Sequence, residues 1–206
     1  MSQITSGLRA ILSVPIIYST FQYLMGARSI WRYFVNDLMH VKSSDCVLDI
    51  GCGPADLLAY FPEGVTYWGF DISENYIQKA KSKYGNKGHF VCKFLDLADL
   101  EKLPKFDKVV LTGVLHHVDD EMAKKIIALA HKALKNGGGK MFSIDPCYAK
   151  GQSPIARFLI SKDRGQKVRE DSGYRKLASK TFKKIQTHTI HRDWIPYTHC
   201  YMICTK

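Results

Sequence analysis

The stretch Val47-Leu48-Asp49-Ile50-Gly51-Cys52-Gly53-Pro54-Ala55 runs from an apolar segment into a Gly-x-Gly turn and out into a helix-like segment. Glycines there allow a tight turn and let a ligand approach the backbone closely. A dinucleotide fingerprint would place a third glycine at position 56, where Asp56 stands, and Asp49 adds a carboxylate just before the turn. Both repel a pyrophosphate, so the turn suits a cationic or zwitterionic ligand. A second apolar run, Tyr67-Trp68-Gly69-Phe70-Asp71, ends in an acid about twenty residues after the first glycine, a position from which a carboxylate reaches both ribose hydroxyls of a nucleoside. Asp71 or Ser73 also qualifies as a helix cap, and the two roles are compatible. Phe94-Leu95-Asp96-Leu97 offers a third acid, either as an acceptor for the exocyclic amine of adenine or as an ordinary loop residue. Thr112-Gly113-Val114-Leu115-His116-His117 closes a further apolar run in a small-residue turn followed by two histidines. Either imidazole can serve as a general base near neutral pH; the alternative is a buried histidine bonded to backbone.

Alternating elements must hold these residues. Strand-like runs at 46–50, 67–71, 89–93, 108–112 and 140–144 alternate with helix-like stretches at 55–60, 74–84 and 122–134. In the last of these, Ile126, Ile127, Ala130 and Leu134 form an apolar stripe, Asp119 to Glu121 favour the start and Asn136-Gly137 the stop. This βαβ series predicts a parallel sheet covered by helices on both faces. After Pro146 the pattern changes to two helices, 154–161 and 174–180, around a charged linker with Gly165 and Gly173. Two strands follow, 184–191 and 198–204, joined by too few residues for a parallel crossover. The expected fold is therefore α/β and doubly wound, a mostly parallel seven-stranded sheet ending in an antiparallel hairpin.

Composition bounds the function. The 206 residues, 46% apolar and 24% charged, suit one domain with its own core. The net charge of +11 is uneven: residues 45–149 carry 13 basic and 14 acidic side chains with no arginine, whereas residues 150–184 carry 11 basic and 3 acidic. A basic segment is set into a neutral body. The six cysteines form no CxxC pair and no zinc-finger spacing, so no metal is expected, and a reducing cytoplasm fits better than a disulfide framework. Residues 10–27 are uncharged, but Pro15, Gly26, Gln22 and several hydroxyls argue against a membrane span or a signal peptide. They read as two amphipathic helices broken at Pro15, or as an interfacial helix on a membrane.

The glycine turn, the acids closing the second and third strands, the Thr112-Gly113 turn and the Leu134-to-Phe142 glycine crossing, in this order and spacing, resemble the class I S-adenosylmethionine-dependent methyltransferases. The likeness is greatest to the small-molecule type, including the ubiquinone and menaquinone biosynthesis methyltransferases. It covers roughly residues 41–146 and implies a Rossmann-like methyltransferase fold with S-adenosyl-L-methionine as cofactor and S-adenosyl-L-homocysteine as product. It further implies that Asp49, Gly51 and Gly53 line the methionine end and that Asp71 holds the ribose, next to Ile72. Asp96 and Leu97 would meet the adenine, and Thr112 and Gly113 would supply backbone around the sulfonium. Arg28 is a candidate for the cofactor carboxylate or a solvated helix start. His116, His117 and Tyr18 are the candidates for catalysis; Tyr18 and Gln22, one helical turn apart, point into the site if the N-terminal helices close over it. Asn136 replaces the usual proline of the glycine crossing, and residues 151–180 match no general motif of the family.

The chain is expected to be one methyltransferase domain: an N-terminal helical cap at 1–40, a cofactor-binding core at 41–149, a basic helical insert or lid at 150–182 and a hairpin at 183–206. The insert follows the fifth strand, on the acceptor side of the cleft, and reads as a lid for an acidic or lipid-like small molecule or as solvated charged surface. An RNA methyltransferase is the second enzymatic reading, disfavoured because the insert has few aromatics for stacking on bases. A non-catalytic nucleoside-binding module and a protein held to a membrane by its N-terminal helices complete the alternatives.

Overall fold

The computed structural model describes residues 27–206 apart from 164, 166, 193 and 194. Tyr18, Gln22 and the expected break at Pro15 lie outside the described residues. Helix α1 (Ala27–Arg32) continues as a wider π-type turn to Met39, closed by His40 in the left-handed conformation. Strands β1 (Cys46–Ile50), β2 (Thr66–Asp71) and β3 (His89–Cys92) are separated by a 3-10 turn (Asp56–Tyr60) and helix α2 (Glu74–Tyr84). Helix α3 (Leu97–Lys102), β4 (Lys108–Thr112), a 3-10 turn (Leu115–His117), α4 (Asp120–Ala133) and β5 (Lys140–Tyr148) complete the alternation. Then come α5 (Pro154–Ser161), the two-residue strand β6 (Arg169–Glu170), α6 (Asp171–Ala178), β7 (Lys184–Arg192) and β8 (Ile195–Thr205).

The sheet order is β3-β2-β1-β4-β5-β8-β7, with β6 beside β5 as an eighth, two-residue strand. β1 to β5 pair in parallel, and β8 pairs antiparallel with both β5 and β7. The chain steps outward from β1 to β3 and then restarts at β4 on the other side of β1. That reversal opens a crevice at the carboxyl ends of β1 and β4, where ligands of such sheets bind. Each central strand alternates faces. Leu48, Ile50, Val109, Leu111 and Met141 pack under α4 and α6, while Val47, Val110, Phe142 and Tyr201 pack under α1 and its π-type extension. The parallel sheet, the helices on both faces and the terminal hairpin match expectation.

Four local differences have physical causes. The segment after the glycine turn is a short 3-10 turn, because Ala55 is left-handed (φ 59°) and Pro62 follows within seven residues. Helix α3, in a stretch read as loop, is nucleated by a capping box in which Asp96 and Asp99 each accept the other's backbone N–H. β5 runs through Pro146 to Tyr148. The proline's missing donor is harmless, because β4 pairs only as far as Ile144 and β6 only from Cys147. Helix α6 begins at Asp171, three residues before the expected start. All six cysteines are free thiols, and Cys52, Cys147, Cys200 and Cys204 are buried. Among the described residues no helix is long and apolar enough to cross a membrane.

Asp107 fastens the edge of this sheet away from the crevice. Its Oδ2 accepts the Cys46 N–H at 2.9 Å, and its two oxygens take the Lys135 ammonium at 2.8 and 2.9 Å. The backbone bond satisfies the first donor of β1, whereas Lys135 is half exposed. Asp107→Ala should therefore lower unfolding free energy by about 1–3 kcal/mol, and Lys135→Met by less than about 1 kcal/mol. Urea unfolding of both variants checks this; equal losses would mean that the ion pair, not the strand-end hydrogen bond, is what matters.

Candidate active site

The crevice is built around the Gly51-Cys52-Gly53 turn. The N–H groups of Gly51 and Cys52 both donate to the Phe70 carbonyl, at 2.7 and 3.1 Å, which folds the turn back over the end of β2. Asp71 then ties the turn to the next helix: its Oδ2 accepts the Gly53 N–H at 2.9 Å and its Oδ1 the Ser73 N–H at 2.8 Å. Gly51 has φ +76°, and a Cβ there would fall 2.6 Å from Val114 Cγ2, so the turns after β1 and β4 meet without room for a side chain. Gly53, at φ +55°, opens onto free space. Asp71 thus holds the backbone of Ser73, the residue that begins the next helix, without itself capping it.

Asp49 lies beneath the turn and is fully buried. Its Oδ2 accepts the Tyr67 hydroxyl at 2.9 Å, and its Oδ1 has no hydrogen-bond partner. Burial pushes this carboxyl up to about 7; the Tyr67 hydroxyl opposes the shift and the Asp71 charge reinforces it. An orphaned buried carboxylate oxygen is costly unless a donor satisfies it. A ligand ammonium supplies that donor together with a compensating charge.

Asp96 is occupied as the cap of α3, its Oδ1 accepting the Asp99 N–H at 2.9 Å, and Lys93 lies 3.2 Å from its Oδ2. That capping bond and Lys93 hold its carboxyl below the usual range. Ile72 and Leu97 are 53% and 52% exposed, and Phe94 is also exposed. Bare apolar side chains after β2 and β3 suit the two faces of a planar base.

The two histidines separate in role. His116 is buried, with Nδ1 2.8 Å from Asp145 Oδ1 and Nε2 3.3 Å from Asp163 Oδ1. Burial disfavours its charged form, but the two carboxylates outweigh burial and raise its pKa to about 9. Asp163, despite its own burial, is held well below the usual carboxylate range by His116 and by the Tyr197 hydroxyl, which donates to its Oδ2. Both ring nitrogens of His116 therefore face a carboxylate, an arrangement that favours the imidazolium over the neutral ring. Its carbonyl accepts the Lys167 N–H at 3.0 Å, and a Cβ on Gly165 would fall 1.9 Å from the ring. His117 is half-buried, its ring 4.0 Å from that of His116. Arg169 completes the join. Its guanidinium donates to the carbonyls of Leu115, Lys167 and Val118 at 2.8, 2.8 and 3.0 Å and reaches Asp120 at 2.7 Å.

Asp49, Gly51, Gly53 and Asp71 are thus brought together at the switch point. Gly113, whose N–H donates to Ile144 at 2.8 Å, adjoins His116, and Thr112 precedes it at the end of β4. Arg28 sits in α1, which packs against the 3-10 turn Asp56–Tyr60. Sequence reasoning missed Tyr67, Asp145, Asp163, Tyr197 and Arg169. Asp145 carried a signal, an acid late in the fifth strand like those ending the second and following the third. Asp163 and Tyr197 meet only through the folding of the insert onto β8 and carried none.

Residues 47–138 match a family model described as a methyltransferase domain. Over 136 residues the chain is 30% identical to the ubiquinone/menaquinone biosynthesis C-methyltransferase UbiE of Methylococcus capsulatus, covering 61% of this chain and 54% of that protein. The match to UbiE of Psychromonas ingrahamii is 30% over 122 residues, covering 55% and 48%. The chain spans about half the length of the curated relatives it matches. Among solved structures, a SAM-dependent methyltransferase from Archaeoglobus fulgidus superposes with TM-score 0.70 at 17% identity, covering 92% of this chain and 99% of that one. Magnesium protoporphyrin IX methyltransferase from Synechocystis, with bound SAH, gives 0.62 at 18% identity over 100% and 90%. At such identities the structural likeness is one of fold. The family match runs over the strands that build the crevice, so residues 47–138 are similar to a methyltransferase domain, on a fold shared with S-adenosylmethionine-dependent methyltransferases.

Proposed function

We propose that the chain transfers a methyl group from S-adenosylmethionine to a small or lipid-like acceptor. The observation that carries this reading is the orphaned Asp49 carboxylate oxygen buried under a glycine turn that Asp71 stitches across the switch point. In this reading Asp49, Gly51 and Gly53 take the methionine end, Arg28 the cofactor carboxylate and Asp71 the ribose. Ile72 and Leu97 enclose the adenine beside Asp96, and Thr112 with Gly113 presents backbone toward the reacting centre. The bound cofactor supplies an activated methyl on a sulfonium, so that displacement leaves a neutral thioether. The protein's part is alignment and the exclusion of water. Acids at the strand ends favour a ligand carrying positive charge and disfavour one carrying pyrophosphate. An acceptor that must lose a proton needs a base, and His117 is the histidine for that role, since His116 is already protonated and held at both nitrogens. The UbiE relatives are named as C-methyltransferases of quinone biosynthesis, which supports a small, partly apolar acceptor here.

Asp49 makes cofactor binding depend on pH. With its carboxyl near 7 in the free protein and only the ionised form suited to an ammonium, affinity for S-adenosylhomocysteine should rise with pH and level off above 7. Below 7 it should weaken by up to about tenfold per pH unit. Isothermal titration from pH 5.5 to 8 reads the slope, and Asp49→Asn should flatten it. Failure of either adenosyl ligand to shift the melting temperature of the folded protein sinks the cofactor assignment; at about 100 times its dissociation constant the ligand should add about 2.7 kcal/mol.

The segment from α5 to α6 stands on the acceptor side, held to the turn after β4 by the His116 and Arg169 contacts. A histidine pKa raised by folding contributes stability that is complete below its unfolded value and is lost as pH climbs through the folded one. The hold should thus be complete below about pH 6.5, weaken progressively as pH rises above it and be lost past about pH 9. Trypsin cleavage at Lys162 and Lys167, followed by mass spectrometry at pH 7 and 9.5, should show faster nicking at the higher pH beyond the change in trypsin's own rate. His116→Ala should nick rapidly at both, whereas pH-independent nicking of the unaltered protein would refute the hold.

A further inference from the structure

We infer that helix α5 is a lipid-docking element that seats the mouth of the crevice on an anionic bilayer surface. Ala156 and Ile160 are its buried residues. At about 100° per residue, Phe158 points directly away from that buried pair, with Ile155 and Lys162 within about 60° of it. Ile155 and Phe158 are 64% and 60% exposed, the two most exposed large hydrophobic side chains among the described residues. Adjacent bare apolar side chains on one helix face mark a contact surface more often than a resting one.

The charges around this face select the occupant. Lys162 lies over the Phe158 ring at 5.6 Å, and Arg157, on the flank, over the Tyr148 ring at 5.1 Å. Lys150 and Lys167 are exposed at either end. From 150 to 163 the only acid is Asp163, and it is engaged by His116 and Tyr197. An outward phenylalanine and isoleucine flanked by cations, in a stretch whose single acid is already engaged, match an interface of acyl chains beneath anionic head groups. The placement is consistent with function: Asp163, two residues beyond the helix, touches His116, and a Cβ on Gly113 would lie 3.5 Å from that histidine's Cε1. Docking through α5 would bring the acceptor side of the crevice to the bilayer, where a lipid-like acceptor resides. The inference does not depend on the methyltransferase reading, since docking needs no cofactor.

The test is co-sedimentation of the full chain with vesicles of phosphatidylcholine alone and of phosphatidylcholine with phosphatidylserine. Binding is expected to the anionic vesicles and to weaken with salt. The double variant Ile155→Ser/Phe158→Ser should partition roughly tenfold more weakly, and Lys162→Glu at least about fivefold more weakly. Both changes are at exposed positions, and unaltered melting temperatures show that the fold persists. Three results would overturn the inference: no binding to either vesicle, anionic binding that the double variant retains in full, or a dimer of the unaltered chain that the double variant dissociates without any vesicle binding. The second would assign lipid binding to another part of the chain, the third would assign the face to a second copy of it. Loss of cofactor binding alone, with docking intact, would bear only on the proposed reaction.

Discussion

The carboxylate of Asp71 is the joint on which the crevice depends. A parallel sheet whose strand order reverses leaves backbone donors unpaired at the reversal, and the glycine turn after β1 exposes several of them at once. Asp71 accepts the Gly53 N–H with one oxygen and the Ser73 N–H with the other. One side chain therefore sets the path of the turn and the start of α2 together. Each carboxylate oxygen has a second lone pair, so a ligand hydroxyl can be accepted without dismantling the turn.

Two buried ionisable groups near that joint are stabilised in opposite ways. Asp49 has one hydrogen bond and an orphaned oxygen, and burial drives it toward the neutral acid. His116 has a carboxylate at each nitrogen and is driven toward the charged form. A group left half satisfied responds to whatever arrives, whereas a fully satisfied one holds its neighbours in place. Asp49 leaves an acceptor open in the crevice, and His116 joins the turn after β4 to β5 and to the insert. The contrast lies in the surroundings, since residue type and position alone make His116 look like a free base.

The strands and the switch point were legible because parallel strands buried on both faces read as short apolar runs, and because an acid or a glycine pair punctuates their ends. β4 and α5 appear with the boundaries their patterns predict, Lys108–Thr112 and Pro154–Ser161. What the pattern hid depends on distant partners. β5 passes through Pro146 only because a different strand takes over on that side, and β6 exists only beside it. Helix α3 carries a local signal, the Asp96 and Asp99 capping box, but two acids three residues apart in so short a stretch read equally well as loop. The contacts of Asp163 with His116 and Tyr197 span separations of 47 and 34 residues and have no local periodicity to reveal them.

The positive charge of the insert also divides on structural grounds. A guanidinium with five donors can satisfy several carbonyls at a loop crossing, which an ammonium does less well. Arg169 is used in this way, bonded to three backbone carbonyls and Asp120, and Arg175 donates to the Ile185 carbonyl. These two arginines hold the insert against the sheet. Lys150, Arg157, Lys162 and Lys167 remain exposed around the outward face of α5. Part of the excess of charge is therefore internal fastening that needs fixed forks of donors, and another part is an exposed cationic rim beside bare apolar side chains. The second group is the one whose charges are left to solvent, on a helix that packs against β5 and β8.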